Sequence, residues 1–334
     1  MRKLLIMALF AVLAVATPLT ARALPTLEEI KQGAEYSQSL NVLIAGFSQV
    51  YEETTSYDVL ADAVFSGQMS DEDAARNVQE LSMRLRARHA ELSAQLAASP
   101  PPPSVVDDQM RRTLATTLQM AESTRSVTLE AIEAGERLVE AGRHRDENFY
   151  LQRTIKNLEL TRGQIANQAM LYQQQIDIKA GPNVSFYLYS AMKAEADVLV
   201  HLLSTQIELV KGNQVGPEAF AGARDIISQG YGHVANGRSA YDQMLAAVNA
   251  APSAGPADDA NRQIVLDALS NIPTSFDVEG NLLNVRTTYV NGVEAGSFDD
   301  AALASFQQQA SALENMRIQL QIERQQKLQA LQGG

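Results

Sequence analysis

The chain has 334 residues, a formal charge of −12 and no Cys or Trp. Such an acidic balance repels nucleic acid and anionic lipid surfaces. The lack of Cys excludes disulfides, thiolate metal sites and thiol nucleophiles.

The first 23 residues read as a secretory signal peptide, with Arg2 and Lys3, an apolar run from Leu4 to Ala16, and a small-x-small end at Ala21-Arg22-Ala23. The run is shorter than the roughly 20 apolar residues a membrane-spanning helix needs. Loss of Arg2, Lys3 and Arg22 takes the formal charge to −15. Export and acidity together point to a bacterial periplasmic or secreted protein.

The mature chain opens with Thr26 and Glu29 at capping-box spacing. Leu40, Leu43, Ile44, Phe47, Val50 and Tyr51 follow at three- and four-residue steps, which predicts a helix to about Ser66. Gly67 suits a left-handed helix stop. Ser70 caps the next helix, and Asp71, Glu72 and Asp73 face the positive end of its dipole. That helix runs to about Ala98, where Pro100–Pro103 forbid its continuation.

A second helical pair spans about 104–181, turning near Gly142–Asp146. A third covers 183–250, with Gly212 closing one helix and Gly216-Pro217 opening the next. A fourth runs from about Asp258 to Leu331, broken at Pro273 and turning at Gly296–Asp299. The turn glycines Gly67, Gly142, Gly212 and Gly296 are 75, 70 and 84 residues apart, which reads either as an internal repeat or as the generic punctuation of any helical hairpins. The predicted fold is all-α: antiparallel helical hairpins forming two tandem four-helix bundles, with one eight-helix hairpin array as the alternative. The bundles are placed at 24–181 and 182–334, with linkers at 100–103 and 251–257.

Chemistry is sparse along this chain. Its four His, at 89, 144, 201 and 233, form no H-x-x-x-H pair. Asp197 and His201 are four residues apart, so they share a helical face, with Glu208 two turns on. A carboxylate–imidazole pair binds a cation or shuttles a proton, although charged residues are usually solvated. Gly222, Gly230 and Gly237 place small residues along one stripe. Each costs about 1 kcal/mol against Ala inside a helix, so close packing or a pocket wall must explain them. The pocket reading takes Tyr231, His233 and Tyr241 from this segment and Tyr187 and Tyr189 from the preceding helix. Arg84 and Arg88 form a basic island, read either as internally paired with Glu80 and Glu91 or as a partner surface. The C-terminal helix carries Leu303, Phe306, Ala310, Leu313 and Leu320 at bundle spacing, with Arg317 interrupting.

Gly142-Arg143-His144-Arg145-Asp146-Glu147 resembles the G-x-H-x-x-E signature of the imelysin family. That family comprises exported helical proteins of two related bundles linked to iron uptake or peptidase activity. The resemblance implies metal-associated roles for His144 and Glu147. This chain departs from the family in setting the motif among Arg143, Arg145 and Asp146 at a turn, where the family has an apolar helical context.

The expected function is that of an exported, non-enzymatic helical-bundle protein acting as a binding, adaptor or scaffold module in the cell envelope. It needs no cofactor, and its partner is another envelope protein or a second copy met through helix surfaces. The alternative is a metal- or small-ligand-binding periplasmic protein using His144, Glu147, Asp197 and His201.

Overall fold

The computed structural model describes residues 26–104, 108–177, 183–215, 220–252, 255–297 and 299–333. The proposed signal peptide and the Gly216-Pro217 helix start lie outside them. The described residues contain ten helices and no strand: α1 (Leu27–Glu53), α2 (Ser56–Phe65), α3 (Asp71–Ala97), α4 (Asp108–Arg143), α5 (Phe149–Asp177), α6 (Val184–Val215), α7 (Ala221–Ala250), α8 (Pro256–Leu269), α9 (Ile272–Glu294) and α10 (Asp300–Gly333).

The chain divides into two compact units, one of Ala23–Ile178 with Gln206–Gln214 and one of Lys179–Thr205 with Val215–Gly334. The first is a four-helix bundle in which α1 and α2 act as one broken helix beside α3, α4 and α5. Thr26 caps α1 with both halves of the capping box formed, its side chain accepting from the Glu29 amide at 3.2 Å. The helix then buries Tyr36, Leu40, Leu43, Phe47 and Val50 on one stripe. The break at Thr54–Thr55 was not expected, because apolar spacing continues through it. There both threonine hydroxyls donate to carbonyls three residues back, Thr54 to Tyr51 and Thr55 to Glu52, which competes with helical pairing. Beyond the break Tyr57 enters the core and meets the Ser82 hydroxyl at 2.8 Å. Helix α3 starts at Ser70, whose hydroxyl accepts from the Asp73 amide at 3.1 Å.

The second unit is a four-helix bundle of α6, α7, α9 and α10, with the short α8 leading into α9. The α8–α9 break falls beside Pro273, as predicted, and Pro273 lies in the first turn of α9. The register is fixed by cross-helix pairs. Arg238 bonds Asp277 and Tyr231 bonds Asn284, so α7 and α9 are antiparallel. Tyr289 packs on Phe306 at 4.5 Å, placing α9 against α10. Phe276, Leu282, Leu283 and Val290 supply the fully covered apolar centre.

Two turn assignments need correction. Gly67 and Gly296 do adopt positive φ, at 74° and 64°. Gly142 instead lies within α4, and the left-handed residue of that turn is Arg145, at φ 48°. Gly142 is small because a Cβ there would sit 2.9 Å from the Ala61 carbonyl oxygen. Gly212 does not close a helix, since α6 continues to Val215.

The glycine stripe of α7 serves close packing. A Cβ at Gly237 would lie 2.1 Å from the Phe276 ring, and one at Gly230 would lie 3.0 Å from Leu283, whereas Gly222 faces open space. Gly237→Ala is therefore expected to destabilise the second bundle by about 1–2 kcal/mol, overpacking outweighing the propensity gain. Gly222→Ala is expected to stabilise it by up to about 1 kcal/mol. Urea unfolding followed by circular dichroism checks both, and equal shifts for the two variants would refute this packing assignment.

Candidate functional site

The antiparallel pairing of α6 and α7 brings together residues that the sequence assigned to separate sites. Asp197 and His201, four apart on α6, face His233 and Gln229 on α7. The His201 and His233 rings lie 4.8 Å apart, tilted by 40°. Asp197 Oδ2 accepts from Lys193 Nζ at 2.6 Å and stands 3.6 Å from His233 Nδ1. All of these side chains are partly exposed, so the cluster is reachable from solvent.

Hydrogen bonds orient the His201 ring. Its Nδ1 is 2.7 Å from the Asp197 carbonyl oxygen. A carbonyl only accepts, so the Nδ1 proton points there. The other ring nitrogen, Nε2, lies 3.1 Å from Gln229 Oε1 on α7. Burial holds the His233 imidazole below its usual pKa, with His201 and Lys193 adding to the effect and Asp197 opposing it. His233 is thus neutral at pH 7. The arrangement offers one carboxylate, one ammonium and two imidazoles at one seam, a set suited to hydrogen-bonding a polar ligand or passing a proton.

The remaining sequence candidates fall elsewhere. Tyr231 does not turn into a pocket. It is partly exposed, and its hydroxyl donates to Asn284 Oδ1 on α9 at 2.6 Å. Tyr189 and Tyr241 are buried, and burial raises both phenol pKa values. Tyr187 is half-buried with its ring edge-on to Phe186 at 5.4 Å. Glu208 belongs with the first unit, apart from Asp197 and His201 in the second.

His144 and Glu147 lie at the α4–α5 turn of the first bundle, both exposed. His144 Nε2 pairs with Glu140 Oε1 at 2.8 Å, one helical turn back, rather than with Glu147. Asp197 and His201 belong to the other bundle, and among the described residues no group of three or more His, Asp or Glu is arranged to hold a metal ion. The basic island pairs across to α1 rather than with Glu80 or Glu91 on its own helix. Arg84 and Arg88 both reach Glu53, at 3.2 and 3.5 Å, and Arg88 also donates to Gln49 at 2.6 Å.

The sequence reading missed the interior of the second bundle. Glu279 and Arg286 on α9, Arg324 on α10 and Glu195 on α6 are all largely withdrawn from water. Arg324 donates to Asn271, Glu195 and Ser275. Arg286 donates to the Leu202 carbonyl, and burial lowers its pKa to about 10. Both Glu279 oxygens and Arg286 Nε lack a hydrogen-bond partner. The sequence signal was available: Arg317 and Arg324 continue the three- and four-residue seam of Leu303, Phe306, Ala310, Leu313 and Leu320.

Comparison with protein-family models, curated proteins and solved structures finds no match to this chain.

Proposed function

We propose that the chain is an exported, non-enzymatic helical-bundle binding module of the cell envelope, with its ligand held at the α6–α7 seam. The observation that supports this reading is the convergence of Lys193, Asp197, His201 and His233 on one solvent-reachable stretch. Binding needs donors and acceptors of fixed direction, and here the His201 imidazole is oriented by hydrogen bonds to Asp197 and Gln229. An adaptor role through Arg84 and Arg88 has less support, because their charges are met within the bundle. No helix among the described residues is long and apolar enough to cross a membrane.

The test is ligand retention. The chain without residues 1–23 is incubated with a small-molecule extract of its native envelope fraction, repurified and analysed by mass spectrometry. A His201→Ala/His233→Ala variant is treated in parallel. A compound retained by the parent and lost from the variant supports the reading. Retention that is equal in both, or absent from both, removes it.

A further inference from the structure

The first bundle contains a cavity of about 260 Å³ that none of the sequence candidates lines. It lies between α4 and α5, and Lys211 from the α6 segment of the same unit reaches into it. In a chain with 39 acidic and 27 basic side chains, the charged groups lining it are Arg137, Lys156, Lys211 and a single acid, Glu159.

These groups differ in what they have left to give. Lys156 is 2% exposed and donates to Asp58 Oδ1 at 2.7 Å. An ammonium has three N–H donors, so the cavity wall holds a buried cation with further donors. Lys211 is held by Glu159 at 3.2 Å, which engages the one acid of the lining. Arg137 makes no hydrogen bond or ion pair with any described residue, although it adds to lowering the Glu136 carboxyl pKa. Glu136 is itself taken by Arg86, at 2.8 and 2.5 Å. The guanidinium therefore keeps its planar fork of donors, the shape that takes two oxygens of one anion. Leu138 and Ile155 supply apolar wall beside it.

We propose that this cavity is a binding site for a small organic anion. Its carboxylate or phosphate is held by Arg137 and Lys156, and its carbon portion lies on Leu138 and Ile155. The volume is at the lower edge of small-molecule sites, roughly 300–1,000 Å³, so the occupant is a compact metabolite-sized acid rather than a polymer. The site is separate from the α6–α7 seam and does not depend on the reading of that seam.

Titration calorimetry at constant ionic strength tests it, with inorganic phosphate, phenyl phosphate and benzoate as probes. Saturable binding of at least one probe is expected, together with a rise in melting temperature. Arg137→Gln is expected to weaken that binding at least tenfold with little change in the unliganded melting temperature, because Arg137 is exposed and bonds no described residue. Binding of the phosphates alone identifies a phosphate site, and binding of benzoate identifies a carboxylate site. The proposal is overturned if no probe binds, or if Arg137→Gln binds as tightly as the parent chain.

Discussion

Arg324→Leu is expected to cost the second bundle about 3–5 kcal/mol, the range for removing one partner of a buried ion pair. Arg324 is 6% exposed, and its guanidinium ties α10 to α6 and to the start of α9. It donates to Asn271 Oδ1 at 2.9 Å, Ser275 Oγ at 2.6 Å and Glu195 Oε2 at 2.5 Å. Asn271 is oriented for this by donating its own amide to the Leu320 carbonyl at 2.8 Å. A leucine fills much of the volume but strands the largely buried Glu195 carboxyl near Glu279, with Asn271 and Ser275 each losing a partner. The second change Glu195→Leu removes the stranded charge and is expected to recover part of the loss. Urea unfolding of the two single variants and the double variant measures this. A loss below about 1 kcal/mol for Arg324→Leu would place the pair among exposed ones in energetic terms and refute the interior network.

Glu279→Leu should move stability the other way. Glu279 is 0% exposed and neither carboxylate oxygen has a partner. Burial pushes its pKa well above the usual 4.5, with Glu195 and Glu314 reinforcing the shift and Arg317 and Arg324 opposing it. The unfolded chain releases this proton near 4.5 while the folded chain keeps it. Between those two pKa values the folded state binds more protons, so stability falls as pH rises, by about 1.4 kcal/mol per unit. His233 contributes with the opposite sign, losing stability as pH falls below its usual 6.5. The comparison must therefore be made variant against parent at each pH. Glu279→Leu is expected to gain about 1–4 kcal/mol near pH 8 and nothing attributable to ionisation below pH 4.5. Glu279→Gln should remove the same slope while retaining a polar group. If the parent and both variants have parallel stability curves from pH 4 to 9, Glu279 does not titrate as described.

These two residues show where the sequence was readable and where it was not. Helix starts were legible because they are local: Thr26 with Glu29, and Ser70 with Asp73, make their bonds within three residues. Gly67 and Gly296 were legible because a left-handed stop has one preferred residue. Gly142 was misread because a glycine also serves where a neighbouring backbone comes close, and that neighbour, Ala61, is far along the chain. The α6–α7 cluster was half legible. The four-residue step from Asp197 to His201 is local, but the arrival of His233 depends on the antiparallel α6–α7 register, seen in the His201–Gln229 pair and in the approach of Gly230 to His201. The interior charges were least legible, since a Glu or Arg on a helix is normally solvated. Their clue was position, as Glu279, Arg286, Arg317 and Arg324 occupy steps that apolar residues take elsewhere on the same helices.

The Glu195–Arg324 bond also joins residues 129 positions apart. Contacts of such separation close late, because the loop between them must be ordered before they repay its entropy. During synthesis the α6 carboxylate lacks its Arg324 partner until the end of α10 arrives. The half-assembled second bundle is therefore expected to stay hydrated at its centre, and water is expected to leave only when α10 docks. Helix α10 thus acts as the seal of the bundle, and the slowest folding phase of the second bundle should report its arrival.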